Sequence, residues 1–294
     1  MSSESLEHAF IKVNGIQLHY VTQGKGPLLL LLHGFPEFWY GWRKQIPVFA
    51  KHFRVVVPDL RGYNLSEKPK GVQAYSMEEV RKDLEALIIG LGAEKAIVIG
   101  HDWGGAVAYD LVIRSPQLVE RFVACNIPHP LKLVENLKGN WRQKLRSWYF
   151  LYFQIPWLPE FLFKLMLRRV LKRTFQGWAY NPKAFSDEDV ERYREALLQP
   201  GALKASINYY RAFFRNQKQA VRGLEVPITV PTRIIWGEND KALGKELTYD
   251  LEQYFAAPFD VHYLENCSHW VMSEYPDRVS ALVLDFLGIE DLPN

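Results

Sequence analysis

The 294-residue chain has only two cysteines, Cys125 and Cys267, far apart and in no metal-ligand spacing. A disulfide framework and a thiolate zinc site are therefore excluded, and the pair reads as buried free thiols of a reducing compartment. The opening "MSSESLEH" lacks the basic start and apolar block of a secretory leader, and the closing "DLPN" is no retention or peroxisomal address. These absences predict a cytoplasmic protein. A long uninterrupted apolar run is also missing. The richest window, Trp148 to Leu167, is broken by Gln154, Pro156, Pro159, Glu160 and Lys164, whereas a membrane-spanning helix needs about 20 apolar residues with few charges. No transmembrane segment is expected. Neither sign of charge dominates, and a net +3 is too mild to argue for nucleic acid. Repeats and low-complexity tracts are absent. What is present, 48% hydrophobic and 23% charged residues, describes a globular chain with a sizeable core, long enough for one large α/β domain with an insertion.

"FIKVNGIQLHYVTQG" alternates apolar and polar residues around Asn14-Gly15, a hairpin signal. "PLLLLLHG", "FRVVVPDLRG", "KAIVIG", "RFVACN" and "TRIIWGEND" are apolar runs of the kind that form strands buried on both faces, and "FDVHYLENCSH" is a more alternating one. "SMEEVRKDLEALIIGLG" has helical spacing, a Ser-x-x-Glu capping box at Ser76 and Glu79, and a glycine stop. Strands alternating with helices predict a mostly parallel central sheet with helices on both faces. From about His129 to Val226 the periodicity is helical and no strand is expected. We divide the chain into a core of 1–128 and 226–294 and a helical cap of 129–225.

Ligands of open α/β sheets bind beyond the carboxyl ends of strands, so the residues after each apolar run carry the chemistry. After "AIVI" stands Gly100-His101-Asp102-Trp103-Gly104, the outline of a nucleophile elbow with no serine or cysteine at its centre. Asp102 occupies that place. A carboxylate attacks a saturated carbon without prior deprotonation and leaves an alkyl ester. Alternatively, Asp102 merely caps the following helix. Asp240 follows "RIIW" and His269 follows the last strand, in the order nucleophile, acid, histidine.

The segments "HGFPE", "DLRGYNLSEKP", "GHDWGG", "WGENDKAL" and "NCSHWVMSEYP" resemble those of the epoxide hydrolase family of the α/β-hydrolase fold, and the likeness runs through nearly the whole chain. It implies an α/β-hydrolase fold with an inserted helical cap, no cofactor and no metal. It also implies that Asp102 is the nucleophile, His269 the base that activates water, and Asp240 the residue that orients it, with Glu238 as the second choice of orienter. The backbone N–H groups of Phe35 and Trp103 would form the oxyanion hole. A cis peptide at Pro36 is suggested, and His33, Pro36 and Trp103 are candidate substrate contacts. "LYFQIPWLPE" and "INYYRAFFRN" resemble the segments that supply two proton-donating cap tyrosines. The matching positions are Tyr152 and Tyr210, with Tyr149, Tyr209 and Tyr180 as neighbours.

The implied reaction takes an apolar epoxide and water to a vicinal diol. A haloalkane dehalogenase is the alternative, although Phe35 offers no side-chain donor to a halide; a hydrolase-like ligand-binding protein is another. Between Lys132 and Arg173 ten Lys or Arg residues face only Glu135 and Glu160. A solvated basic face is the first reading, and weak attraction to acidic lipids or a fatty-acid carboxylate the second. The chain itself is expected as a monomer or homodimer.

Overall fold

The computed structural model describes residues 5–289. Residues 1–4 and 290–294, on which the readings of both termini partly rest, lie outside the described residues. Eight strands form one sheet: β1 (Glu7–Val13), β2 (Ile16–Gln23), β3 (Leu28–Leu32), β4 (Arg54–Pro58), β5 (Ala96–His101), β6 (Val119–Cys125), β7 (Thr232–Gly237) and β8 (Phe259–Leu264). Their order is β1-β2-β4-β3-β5-β6-β7-β8. The first two pairings, β1 with β2 and β2 with β4, are antiparallel, and all the others are parallel. Asn14 and Gly15 both take positive φ, +43° and +80°, as the tight hairpin between β1 and β2 requires.

β3, β5 and β7 are buried at every position, because helices cover both faces. Strand alternation sends Leu28, Leu30 and Leu32 into one core, where Val80, Leu84 and Leu87 of α2 (Met77–Gly90) and Val107 and Leu111 of α3 (Asp102–Arg114) meet them. Leu29 and Leu31 enter the other core. There they join Phe49 of α1 (Ile46–Phe49) and Val279 and Val283 of α12 (Pro276–Phe286), which follows the short α11 (Val271–Glu274). Truncating any of these central leucines to alanine would cost roughly 2–5 kcal/mol.

At the start of α2 only half of the capping box forms. Ser76 Oγ accepts the Glu79 N–H at 3.4 Å, but the Glu79 carboxylate turns outward to Lys82 at 3.1 Å instead of reaching back.

Between β6 and β7 the described chain is helical: α4 (Pro130–Gly139), α5 (Trp141–Arg146), α6 (Tyr149–Tyr152), α7 (Leu158–Phe175), α8 (Asp187–Leu198), α9 (Ala202–Arg215) and α10 (Gln217–Val221). A separate apolar cluster of Leu171, Phe175, Tyr193 and Leu197 fastens α7 and α8 onto Phe38 and Trp270 of the sheet-end loops. Arg211 of α9 fastens the turn between α6 and α7. Its Nε and Nη2 donate to the carbonyls of Phe153 and Ile155, each at 2.8 Å, and its guanidinium pairs with Glu160. β5 lies at the centre of the sheet, where the chain turns back from β4 across β3. That is the switch point at which such sheets hold ligands.

Candidate active site

Asp102 follows the last residue of β5 and begins α3 in a left-handed conformation, φ +48°. Such a backbone is costly for a non-glycine residue and occurs where the surroundings enforce it. Two glycines allow the close packing. A Cβ on Gly104 would lie 2.5 Å from the backbone of Leu32 and His33, and one on Gly34 would lie 2.3 Å from Asp102 Cβ.

Phe35 N–H donates to Asp102 Oδ1 at 2.8 Å. The peptide between Phe35 and Pro36 is cis. His269 Nε2 stands 3.7 Å from Asp102 Oδ2, and His269 Nδ1 is 2.6 Å from Asp240 Oδ2. The other oxygen of Asp240 accepts the N–H groups of Ala242 and Leu243 at 2.7 and 2.9 Å. The structure thus brings Asp102, His269 and Asp240 together from three strand ends. Glu238 pairs instead with Lys245.

The charges are mutually dependent. Burial alone would raise Asp102, but His269, His101 and the Phe35 N–H outweigh it and hold the carboxyl below its ordinary range. Burial likewise opposes ionisation of Asp240, yet His269, the Leu243 N–H and Asn126 keep it low. Burial would pull His269 down, but the Asp240 and Asp102 carboxylates push it up to about 10. The resting site is therefore an imidazolium between two carboxylates.

An apolar cavity opens over Asp102. Trp103, Ala106, Ile127, Leu133, Phe150 and Phe213 are among its walls, and Tyr149 and Tyr210 also line it. Tyr210 is buried and packs edge-on to Trp103 with ring centres 4.9 Å apart and to Phe35 at 5.3 Å. Burial, Asp102 and Tyr149 raise its hydroxyl well above 10. Burial, Asp102 and Asp240 do the same for Tyr149. Both remain protonated donors.

Tyr152 must be corrected. It lies one helical turn beyond Tyr149, packs on Trp148 and Phe153, and is absent from the cavity wall. Apart from burial, the charge that raises it is Glu160, not Asp102. α6 turns residues 149 and 150 toward the cavity, and residue 152 lies about 4.5 Å further along the helix axis. Tyr209 is occupied elsewhere, donating to the Arg61 carbonyl at 2.9 Å.

His33 and Pro36 also need correction, since neither lines the cavity. The buried His33 ring bonds the Gly34 carbonyl through Nδ1 at 3.0 Å and accepts the Leu60 N–H on Nε2 at 3.1 Å. Burial pushes it below 6.5, so it is a neutral brace for the loops beneath the site. Trp103 does line the cavity. Its backbone N–H lies in the first turn of α3, next to the carboxylate.

Three residues escaped the sequence reading. Asn126, directly after β6, donates to Asp240 Oδ2 at 2.8 Å and accepts the Gly237 N–H at 2.9 Å. His101 and Glu37 form a buried pair at 2.8 Å, with His101 Nε2 2.9 Å from the His269 carbonyl. Both ring nitrogens of His101 thus face oxygen atoms of the site. Among the described residues, no group of three or more His, Cys, Asp or Glu converges as a metal site requires.

Comparison with known proteins agrees with this fold. Residues 27–276 match the sequence profile of the alpha/beta hydrolase fold. The chain is 43% identical to the AB hydrolase superfamily protein YfhM of Bacillus subtilis (strain 168), over 95% of this chain and 96% of that one. It is 37% identical to epoxide hydrolase 4 of Homo sapiens, covering 96% of this chain and 79% of the relative. The crystal structure of an epoxide hydrolase from Bacillus megaterium in complex with an inhibitor superposes with a TM-score of 0.83 at 32% identity, over 95% and 100% of the two chains. The epoxide hydrolase VrEH1 from Vigna radiata gives 0.85 at 27% identity, over 98% and 99%.

Proposed function

The chain belongs to the α/β hydrolase fold family and, within it, to the epoxide hydrolases; from that membership we propose that it converts an apolar epoxide to a vicinal diol through an ester on Asp102. The observation that carries this reading is the meeting, in one apolar cavity, of an anionic Asp102 with two protonated tyrosines.

The inserted helices act as a cap over the strand ends. Asp102 Oδ2 attacks a ring carbon from behind, and the carbon–oxygen bond of the ring breaks. Tyr149 and Tyr210 hold that oxygen, and one of them protonates it as the charge develops. Esterification removes the charge of Asp102 and with it one cause of the raised His269 pKa. The imidazolium then returns a proton to the tyrosinate, and the neutral ring takes a proton from water. The water attacks the ester carbonyl carbon. Oδ1 is already bonded to the Phe35 N–H and becomes the oxyanion, stabilised there and by the Trp103 N–H. As the tetrahedral intermediate collapses, the imidazolium protonates the departing diol oxygen, and the new carboxylic acid passes its proton to His269, which restores the Asp102 carboxylate. Asp240 stabilises the imidazolium, and Asn126 holds Asp240 in place.

Single turnover in heavy-oxygen water tests the route. The label should enter Asp102 first and be missing from the first diol formed; label in the first diol with none in Asp102 would point to direct attack of water on the ring.

One observation favours the halide-expelling alternative. Trp103 Nε1 is buried, directed at Tyr210 without reaching hydrogen-bond geometry, and available to a leaving halide. Among the residues lining the cavity, however, no Asn, Gln or second Trp supplies a partner donor. A pure ligand-binding role leaves the assembled triad without a purpose. The buried free thiols Cys125 and Cys267 support a reducing, cytoplasmic setting.

A further inference from the structure

Part of the cap surface is apolar where an amphipathic helix would ordinarily turn such residues inward. Trp141, Leu145, Trp148 and Leu151 are 60–64% exposed, and Ile155 is 42% exposed. They recur every three or four residues along α5, α6 and the turn after α6. Two residues further, Trp157 at 74% begins a second series with Phe161 at 60% and Leu165 at 71% along α7. Scattered exposed leucines are ordinary, but a continuous set with three tryptophans marks an interaction surface.

The exposed charged side chains of the same stretch have one sign. Lys144, Lys164 and Arg169 are exposed among the apolar side chains, and Arg168, also exposed, pairs with Asp187 at 3.6 Å. The two acids between Lys132 and Arg173 are already engaged. Glu135 accepts the Tyr254 hydroxyl at 2.8 Å, and Glu160 pairs with Arg211.

We propose that the cap docks on the surface of an anionic lipid bilayer, with the face from Trp141 to Leu165 seated at the boundary between headgroups and acyl chains. Indole rings favour that boundary, and cations beside them meet acidic headgroups. Among the described residues no helix is long and apolar enough to cross a membrane, so the cap lies on the bilayer and does not span it. A second copy of the chain fits less well, because a two-fold contact would set this basic face against itself. α6 gives the docking a use. Trp148 and Leu151 face outward from the same short stretch whose Tyr149 and Phe150 line the cavity. A substrate dissolved in the bilayer would thus meet the same short helix that lines the cavity. That route rests on the epoxide reading, whereas the docking does not.

The test uses the full chain and sedimenting vesicles. One set mixes phosphatidylglycerol into phosphatidylcholine; the other is phosphatidylcholine alone. Partitioning to the anionic set should be about tenfold or more stronger and should fall as salt is raised. The combined variant Trp141→Ser, Phe161→Ser, Leu165→Ser, and separately Lys144→Glu with Arg169→Glu, should each lower it about tenfold. Melting temperature and hydrolysis of a water-soluble epoxide should stay unchanged. No sedimentation with anionic vesicles would overturn the proposal. So would sedimentation that the serine variant leaves intact, or a dimer in light scattering that the same variant dissolves. Vesicle binding without any epoxide turnover would instead sink the catalytic reading and leave the docking standing.

Discussion

His269 Nε2 faces Asp102 Oδ2 at 3.7 Å, too far for a good hydrogen bond and near enough for an ion pair. The same ring is held at 2.6 Å by Asp240. His269 is thus fixed by Asp240 and charged in part by Asp102. The relationship ties the protonation of His269 to the chemical state of Asp102, and it shapes the first two predictions.

Stability should fall as pH rises from neutral toward 10. His269 is raised from 6.5 to about 10 in the folded chain. Its contribution is fully present below the unfolded value and is lost as pH passes through the folded one. Asp102 and Asp240 are shifted downward, so their contributions are present above 3.8 and disappear as pH falls through their folded values. Urea titrations of the wild type and His269→Gln at a series of pH values isolate the histidine. The variant should show the shallower decline between neutral and about pH 10; parallel curves would refute the ion pair.

The same substitution should trap the covalent ester. Without an imidazole to deprotonate water, hydrolysis of the ester slows more than its formation. The intact mass of His269→Gln mixed with an epoxide should rise by the mass of that epoxide. Wild-type turnover by the variant, or a mass that never changes, would remove His269 from its role.

The tyrosines separate two readings of the cap. Tyr149→Phe and Tyr210→Phe should each slow ring opening about 10-fold to 1000-fold, and the double variant should nearly abolish it. Tyr152→Phe should match the wild type. Alkylation of Asp102 by a reactive alkyl halide, whose leaving group needs no proton, should survive all of these. Equal losses on halide and epoxide would mean a damaged pocket, and a loss confined to Tyr152→Phe would reinstate that residue.

Asn126→Ala should cost about 1–3 kcal/mol in denaturant melts, because the buried Gly237 N–H loses its acceptor. Asp240 also loses one of its donors, so hydrolysis of the ester should slow more than alkylation. A stability unchanged from wild type would show that solvent replaces the amide.

Asp102, Asp240 and His269 were legible because each follows an apolar run, and strand ends are where an open sheet presents its chemistry. The Asn14-Gly15 hairpin was legible because only a few residues accept its backbone. The choice between Tyr149 and Tyr152 was not. It depends on where α6 begins and on Arg211 holding the Phe153 and Ile155 carbonyls, a contact more than fifty residues distant in sequence. His33 looked like a ligand contact because its partner, the Leu60 N–H, comes from another loop. Asn126 had a faint signal, its place right after "RFVAC". For Glu37 and His101 the motifs were visible, and only the fold shows that they meet.

The cavity follows α3. Asp102, Ala106 and Asp110 all line it, four residues apart on one side of the helix, so the helix serves as a ruler about 12 Å long. Its zero mark is Asp102. Its far mark is a carboxylate fastened by Arg81 at 3.0 Å and Arg114 at 2.6 Å. Between the marks the helix offers carbon; at the far mark it offers a clamped carboxylate. The depth at which this wall stops being apolar is therefore set by where the second aspartate falls along the helix, two turns from the first.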